Sequence, residues 1–252
     1  MEPTSRPPFR VLDLFSGVGG FSLGLERTGG FVTTAFCEID PFCRRVLAKH
    51  WPGVPILDDV TTAEFPSADI ITAGFPCQNI SGAGDRSGLS GPYSGLWREV
   101  VRAIRVVRPR IALLENVADL LGRGMGRVLG DLAEAGHDAE WDCVQAVEVG
   151  APHERDRIWI AAHAEGVGCG AGRPWGLADG LAGLPLAPCW ETSVGPVAHF
   201  EERQDEPALL GVDDGVSDRV DRVFALGNTL HPKVPEMIGR AILAAEGEGL
   251  AA

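Results

Sequence analysis

The 252-residue chain lacks four features that would each assign it to a distinct class of protein. Its six cysteines include no Cys-x-x-Cys pair, so neither a disulfide framework nor a zinc site is expected. No apolar run approaches the roughly 20 residues that span a bilayer. The polar residues 1–10 lack the apolar core of a secretory signal, and the chain contains no internal repeat. We therefore expect a cytoplasmic protein with reduced thiols, no metal site and no membrane partner.

What the chain does contain is enough apolar sequence for one large core. Its hydrophobic content of 45% and its length fit one domain, or one domain with a small insertion. The net charge of −13 argues mildly against a nucleic-acid partner. Residues 98–127, however, hold seven arginines against three acidic residues, a local excess of +4. A basic surface on an acidic body and an ordinary solvated helix face both remain open.

Segments typical of strands and helices alternate up to about residue 163. Buried strands are predicted at 9–15, 31–36, 69–73, 111–114, 141–149 and 158–162, and helices at 20–28, 41–50, 96–107 and 123–135. Asp40 is a plausible N-cap, with Pro41 at the first helical position. This alternation predicts an α/β fold with a mostly parallel sheet that helices cover on both faces.

The alternation of strand and helix patterns stops between residue 163 and about residue 218. This stretch is rich in glycine, proline and acidic residues, and we interpret it as a small lobe with little regular structure. Residues 219–245 look helical again, with interruptions at 227–229 and at Pro232.

The pentapeptide Gly-Phe-Pro-Cys-Gln at residues 74–78 is the most informative feature of the chain. It follows an apolar run, so Cys77 is predicted just past the carboxyl end of a strand. Gly74 permits close approach of a ligand, and Pro76 restricts the backbone. A cysteine in this setting is a candidate nucleophile, although a lone cysteine is more often a small buried hydrophobe. The residues that accompany Cys77 are needed to distinguish a nucleophile from a buried hydrophobic residue.

Other polar residues follow neighbouring strands. A glycine-rich turn at residues 13–20 follows the first strand and leads into a helix whose N-terminus can face a ligand. Its spacing is not Gly-x-Gly-x-x-Gly, which weakens a dinucleotide interpretation. Glu38 ends the second strand, and Asp59 lies where a third strand would end. Acids in these places suit a cofactor that carries a nucleoside.

Glu115 ends the strand that begins at Ile111. Because ligands of open parallel sheets bind outside the carboxyl ends of the strands, Glu115 is expected to share a cleft with Cys77. Its carboxyl group could donate a proton to a substrate if burial raised its pKa. Arg155 and Arg157 alternate before the next strand and would face one side of it, with a surface ion pair as the alternative interpretation.

Five motifs then occur in a specific order. They are Asp-Leu-Phe-Ser-Gly-Val-Gly-Gly at 13–20, Gly-Phe-Pro-Cys-Gln at 74–78, Glu-Asn-Val at 115–117, His-Glu-Arg-Asp-Arg at 153–157 and Gly-Asn-Thr at 227–229. With these motifs the chain resembles the DNA (cytosine-5) methyltransferases over nearly its whole length. The resemblance implies a doubly wound, mostly parallel sheet of the S-adenosylmethionine-dependent methyltransferase type. It implies a catalytic and cofactor-binding domain at 1–162, a target-recognition region at 163–218 and a segment at 219–252 that returns to the catalytic domain.

The resemblance also implies a reaction, the transfer of a methyl group to carbon 5 of a flipped-out cytosine in double-stranded DNA. The Cys77 thiolate would add to carbon 6 of the base. Glu115 would bond to or protonate ring nitrogen 3. Arg155 would hold the cytosine edge, with support from Arg157.

S-adenosylmethionine is the implied cofactor. Phe15 would lie against its adenine, Glu38 would bind the ribose hydroxyls, and Asp59 would accept from the adenine amino group. The remaining implied contacts are Gly17, Gly19, Gly20, Ile39, Pro76, Leu96, Asn228 and Thr229. Phosphate contacts are expected from Arg98, Arg102, Arg123 and Arg127.

The implied partner is double-stranded DNA, a cognate restriction endonuclease is a further candidate, and a monomer is expected. Two alternatives stay open: the related branch that methylates a tRNA cytosine, and an enzymatically silent DNA-binding relative. An intact Cys77 and Glu115 argue against the silent relative. Amino-group methyltransferases are disfavoured because no Asn/Asp-Pro-Pro-Tyr/Phe element is present. Two residues depart from the family pattern. His153 stands where the family usually has Gln, and Tyr93 stands where relatives often have Arg.

Overall fold

A computed structural model describes residues 6–76, 95–150, 156–164 and 230–248. The strands are β1 Phe9–Leu14, β2 Phe31–Cys37, β3 Ile56–Leu57, β4 Ile70–Gly74, β5 Ile111–Val117, β6 His137–Gln145 and β7 Asp156–Ala164. They form one sheet in the order β3-β2-β1-β4-β5-β7-β6. Every pairing is parallel except those of β7, which runs antiparallel to β5 and β6. The predicted mostly parallel α/β fold is confirmed.

The helices are α1 Gly20–Glu26, α2 Pro41–His50, α3 Gly95–Val107, α4 Leu120–Arg123, α5 Met125–Glu134 and α6 Lys233–Glu248. Asp40 is the N-cap of α2 as predicted, since its carboxylate accepts a hydrogen bond from the Cys43 N–H at 2.8 Å. Such a cap satisfies one of the backbone donors that have no partner inside the helix.

Two predicted elements were wrong in their extent. The helix expected at 123–135 is α5, which begins two residues later, because the backbone leaves helical geometry at Gly124; the short helix α4 before it was not predicted. The strand expected at 141–149 begins earlier, at His137, and ends at Gln145. Its predicted last part is a 3₁₀ helix, Ala146–Val149, in which the Glu148 carboxylate accepts from the Gln145 N–H at 2.7 Å.

Apolar side chains cover the sheet on both faces, as alternation along each strand requires. One core contains Leu12, Leu14 and Ile71 with Trp97 and Ile104 of α3. The other core lies on the α1 and α6 side of the sheet, and its members include Val11, Phe21, Leu113, Trp159 and Ile238.

Helices α1 and α6 pack in close contact. A Cβ atom at Gly24 of α1 would overlap the carbonyl oxygen of Pro232, so the approach requires glycine there. The end of α6 is attached to the start of the chain by an ion pair in which Glu246 binds Arg6 at 2.6 Å. The C-terminal helix therefore lies against the first βα unit of the fold.

Candidate active site

The carboxyl ends of four neighbouring strands lie side by side. In the register of the sheet, Leu14 of β1 pairs with both Cys37 of β2 and Ala73 of β4, and Gly74 pairs with Glu115 of β5. The glycine-rich turn, Glu38 and Glu115 therefore share one edge of the sheet, as the sequence predicts. Ligands of open α/β sheets bind at this edge.

The turn from β1 into α1 has an unusual backbone. Phe15, Gly17 and Gly19 have φ values of 54°, 54° and 88°. A non-glycine residue in this region costs on the order of 1–3 kcal/mol and is found mainly at functional sites. A Cβ atom at Gly19 would lie 2.6 Å from the ring of Trp51, so only glycine fits. The Trp51 indole N–H donates to Glu26 at 2.8 Å, which holds the ring behind the turn.

Glu38 joins the turn to the end of β2. Its Oε2 accepts from the Gly17 N–H at 2.7 Å, and its Oε1 accepts from the Asp40 N–H at 2.8 Å. A carboxylate oxygen has two acceptor positions, so Glu38 can still receive hydroxyl donors from a ligand. Beside it, Ile39 is 70% exposed, which is unusual for a large aliphatic side chain.

Asp13 is a buried carboxyl group that sequence reasoning did not single out. It is fully buried on β1, where Oδ1 accepts from the Thr72 hydroxyl at 2.7 Å and Oδ2 from the Ser22 hydroxyl at 2.9 Å. Burial raises the pKa of Asp13 to about 7; the nearby Glu38 carboxylate adds to this, and the two hydroxyls oppose it. An acidic residue inside an apolar strand was the available signal.

Asp13 is expected to make the stability of the fold depend on pH. Its pKa is about 7 in the folded chain and lower when exposed, so only the folded state holds the proton between about pH 4 and pH 7. Stability conferred by this group is present at low pH and is lost as pH rises through that window. The unfolding free energy of Asp13→Asn minus that of the wild type should therefore be about 2–3 kcal/mol larger at pH 8 than at pH 5.

Urea denaturation of both proteins at the two pH values measures this difference. Asp138→Asn, a substitution at an exposed position of β6, is the matched control and should show no such change. Equal stability differences at pH 5 and pH 8 would contradict the prediction.

Glu115 and Arg157, two of the four predicted catalytic residues, are in direct contact. The Arg157 Nε donates to Glu115 Oε1 at 2.8 Å, and Glu115 is only 9% exposed. Its Oε2 lies 3.3 Å from where a Cβ of Gly74 would be, so glycine gives the carboxyl group room beside β4. This pair forms because β7 runs antiparallel to β5. A nearly buried carboxylate oriented by a guanidinium can exchange a proton or a hydrogen bond with a bound base.

Asn116 supports the same edge and was not predicted as a separate contributor. Its side-chain amide donates to the Phe75 carbonyl oxygen at 3.0 Å, and its Oδ1 accepts from the Val117 N–H at 2.8 Å. The hydrogen bond fixes the backbone two residues before Cys77 in the sequence.

Four of the predicted site residues lie outside the described residues: Cys77, Arg155, Asn228 and Thr229. The carbonyl oxygen of Leu230, which directly follows Thr229, lies 3.1 Å from the position of a Cβ at Gly20. The start of the last described segment is therefore next to the glycine-rich turn.

Asp59 follows β3, as predicted, and belongs to a turn of its own. Its Oδ1 accepts from both the N–H and the hydroxyl of Thr61 at 2.8 Å. These hydrogen bonds hold the pKa of Asp59 below its ordinary value, so the group is an acceptor at neutral pH. Pro76 and Leu96 are both partly exposed.

One predicted phosphate contact is wrong. The Arg102 guanidinium donates to the carbonyl oxygens of Val60 and Ala63 and to Glu99, so each of its three nitrogens has a partner inside the protein. Two other arginines of this group also form ion pairs, Arg123 with Asp119 at 3.9 Å and Arg127 with Asp131 at 2.9 Å. The phosphate contact of Arg98 stays a prediction.

Two structural features are absent from residues 6–76, 95–150, 156–164 and 230–248. No group of three or more His, Cys, Asp or Glu side chains there could hold a metal ion. No helix in those ranges has the length and apolarity to cross a membrane.

Comparison with known proteins gives consistent matches. Residues 9–169 match the family model described as C-5 cytosine-specific DNA methylase. Type II methyltransferase M2.BsuMI of Bacillus subtilis (strain 168) is 40% identical over 162 residues, which cover 61% of this chain and 41% of that protein. Type II methyltransferase M.NlaX of Neisseria lactamica is 34% identical over 160 residues, which cover 60% of this chain and 51% of that protein. The chain spans about half the length of these curated relatives.

The fold also matches solved structures. A putative DNA modification methyltransferase encoded within a prophage of E. coli superposes with a TM-score of 0.55 at 25% sequence identity. The superposition covers 70% of this chain and 55% of the prophage protein.

Proposed function

The chain belongs to the C-5 cytosine-specific DNA methylase family, and from this premise we propose that it methylates carbon 5 of a flipped-out cytosine in double-stranded DNA. The observation that carries the proposal is the Glu115–Arg157 pair at 2.8 Å, which lies at the ligand-binding edge of the sheet and next to Gly74. Gly74 begins the Gly-Phe-Pro-Cys-Gln pentapeptide that contains the expected nucleophile, and it pairs in the sheet with Glu115, the expected acid.

The residues at the turn fit S-adenosylmethionine, which supplies the methyl group when bound. No atom lies within 4 Å of a Cβ position at Gly17, so the backbone there is open to a ligand. The Glu38 carboxylate has acceptor positions for ribose hydroxyls, and the exposed Ile39 offers an apolar surface to a flat base. Phe15, Gly19, Gly20, Asp59, Pro76, Leu96, Asn228 and Thr229 complete the proposed pocket.

The proposed chemistry begins with the Cys77 thiolate. Its sulfur forms a bond to carbon 6 of the cytosine, and the electron pair of the ring double bond moves toward ring nitrogen 3. Glu115 supplies a proton or a hydrogen bond at that nitrogen, while Arg157 keeps the carboxyl group in place. Arg155 holds the edge of the base. After methylation carbon 5 loses its proton, and the carbon–sulfur bond breaks to release Cys77.

Further roles belong to the same proposal. Carbon 6 of a stacked base is not accessible, so the cytosine has to leave the duplex. Residues 163–218 would select the target sequence, and residues 219–252 would complete the catalytic domain. A cognate restriction endonuclease, a monomeric state and a cytoplasmic location stay predictions.

Bisulfite sequencing tests the function. DNA from a methylation-free bacterial host that expresses the chain should show protected cytosines within one recurrent sequence. Bisulfite sequencing of tRNA from the same cells tests the alternative substrate. Protection confined to tRNA, or no protection despite a cooperative thermal unfolding transition of the purified protein, would contradict the proposal.

A further inference from the structure

Arg102 makes three contacts that connect helix α3 to one loop, and a fourth contact within α3 itself. From α3, its Nη2 donates to the Val60 carbonyl oxygen at 2.5 Å and its Nη1 to the Ala63 carbonyl oxygen at 3.4 Å. Its Cζ lies 4.6 Å from the ring centroid of Phe65, and its Nε donates to Glu99 at 2.5 Å. One side chain thus binds three points of the segment after β3. We name residues 58–65 the Asp59 loop.

The other restraints on the Asp59 loop are local or exposed. Thr61 donates twice to the Asp59 carboxylate within the loop, and Arg44 forms an ion pair with Asp58, whose side chain is 71% exposed, so this pair contributes little. The loop's internal backbone hydrogen bonds run from the Thr62 and Ala63 N–H groups to the Asp59 carbonyl oxygen, at 3.2 and 2.9 Å. Val60 is buried at 7% exposure, whereas Asp58 and Thr61 are exposed. A segment with little buried surface opens at low free-energy cost unless specific contacts hold it. The Arg102 contacts supply such a restraint at Val60, Ala63 and Phe65.

Helix α3, which carries Arg102, is itself held in place by contacts of Trp97. The Trp97 indole N–H donates to Asp131 of α5 at 2.7 Å, and the Trp97 ring packs against Phe75 with centroids 5.1 Å apart. Leu96, in the first turn of the helix, belongs to the proposed cofactor pocket. Arg102 therefore connects two elements that each contribute one pocket residue, Leu96 and Asp59.

We propose that Arg102 is a positioning residue that holds the Asp59 loop in its cofactor-binding arrangement and so sets the affinity for S-adenosylmethionine. This inference rests on the proposed function. Arg102 donates to backbone oxygens of the loop, so it acts through Asp59 rather than on the reacting atoms. Its loss should change the affinity for the cofactor and leave the rate at saturating cofactor nearly unchanged.

The first test is cofactor binding by calorimetry. If the loop is ordered in about a tenth of the molecules of Arg102→Ala, the apparent Kd rises about tenfold. Arg102→Lys should lose less, because an ammonium group keeps a carbonyl contact but lacks the planar fork. The control is Arg105→Ala on the same helix, which removes an exposed ion pair with Glu134 and should stay within about twofold of the wild type. The kcat of both Arg102 variants at saturating cofactor should also stay within about twofold.

The second test does not need the cofactor. Hydrogen exchange of the Thr62 and Ala63 amides should be faster in Arg102→Ala than in the wild type and in Arg105→Ala. If Arg102→Ala does not fold, Arg102→Lys and Phe65→Leu, which removes the ring under the guanidinium, replace it in both tests.

Unchanged exchange, an unchanged Kd, or an equal rise of Kd in Arg105→Ala would each overturn the inference. A lower kcat at saturating cofactor with an unchanged Kd would also overturn it, because Arg102 would then act on the reaction. A wild-type protein that binds no S-adenosylmethionine would contradict the proposed function. In that case faster exchange in Arg102→Ala would still show that Arg102 orders the loop.

Discussion

Replacing Cys77 with serine should abolish methyl transfer and leave the binding of S-adenosylmethionine nearly unchanged. The thiolate is the proposed attacking species, and a serine hydroxyl ionises far less readily at neutral pH. Loss of a catalytic nucleophile lowers the turnover rate by a factor on the order of 10³ or more. Tritium transfer to DNA and calorimetry with the cofactor, on one preparation, measure the two quantities.

The other cysteines provide the control for this experiment. Cys37 and Cys43 are buried, and burial together with the nearby Glu38 and Asp59 carboxylates raises the pKa of Cys37 to about 12. Cys143 is partly exposed on β6, the outermost strand, which β7 separates from β5 and Glu115, so Cys143→Ser should retain activity. Substantial turnover by Cys77→Ser, or its loss in Cys143→Ser, would show that Cys77 is not the nucleophile.

The second large effect is expected at Glu115. Glu115→Gln keeps the shape of the side chain but removes the carboxyl group that is proposed to act at ring nitrogen 3. A positioned general acid contributes on the order of 10²–10⁴ in rate, and we expect the kcat to fall by that factor. The affinity for the cofactor should change little, because Glu115 is proposed to contact the base and not the cofactor. Single-turnover kinetics with labelled cofactor measures the step directly.

The same substitution also removes the partner of Arg157, so a structural effect has to be separated from a chemical one. Arg157 is 22% exposed in its side chain, and a partly buried charge without its partner lowers stability by about 1–3 kcal/mol. In the double variant Glu115→Gln with Arg157→Gln, two amides can pair. We expect stability to recover and activity to stay lost. Recovery of both in the double variant would assign the defect of Glu115→Gln to structure alone.

Local sequence was a good guide to the secondary structure. Strand β2 and helix α2 lie within one residue of their predicted limits, because the apolar pattern and the Asp40 cap act over a few neighbouring residues. The break at Gly124 and the 3₁₀ helix after Gln145 were not predicted. The 3₁₀ helix includes a specific bond between Glu148 and the Gln145 backbone, which competes with continuation of the strand.

The sequence also indicated where the site residues would gather. Glu38, Asp59 and Glu115 each follow or end a strand, and the ends of parallel strands meet at one edge whatever the details of packing. Arg102 shows the limit of this reasoning. In the sequence it belongs to a basic segment and predicts a phosphate contact, whereas its partners are carbonyl oxygens about 40 residues away in the chain.

Sequence alone therefore determined the order of strands and helices, the edge of the sheet where a ligand is expected, and the residue types available for chemistry there. These follow from periodicity, caps and motifs, which are local properties of the chain. Only the tertiary structure decided that Arg157 pairs with Glu115, that Asp13 is fully buried between two hydroxyls, and that Arg102 binds the Asp59 loop. Such contacts depend on strand register, burial and the direction of β7, which arise only when distant segments pack together.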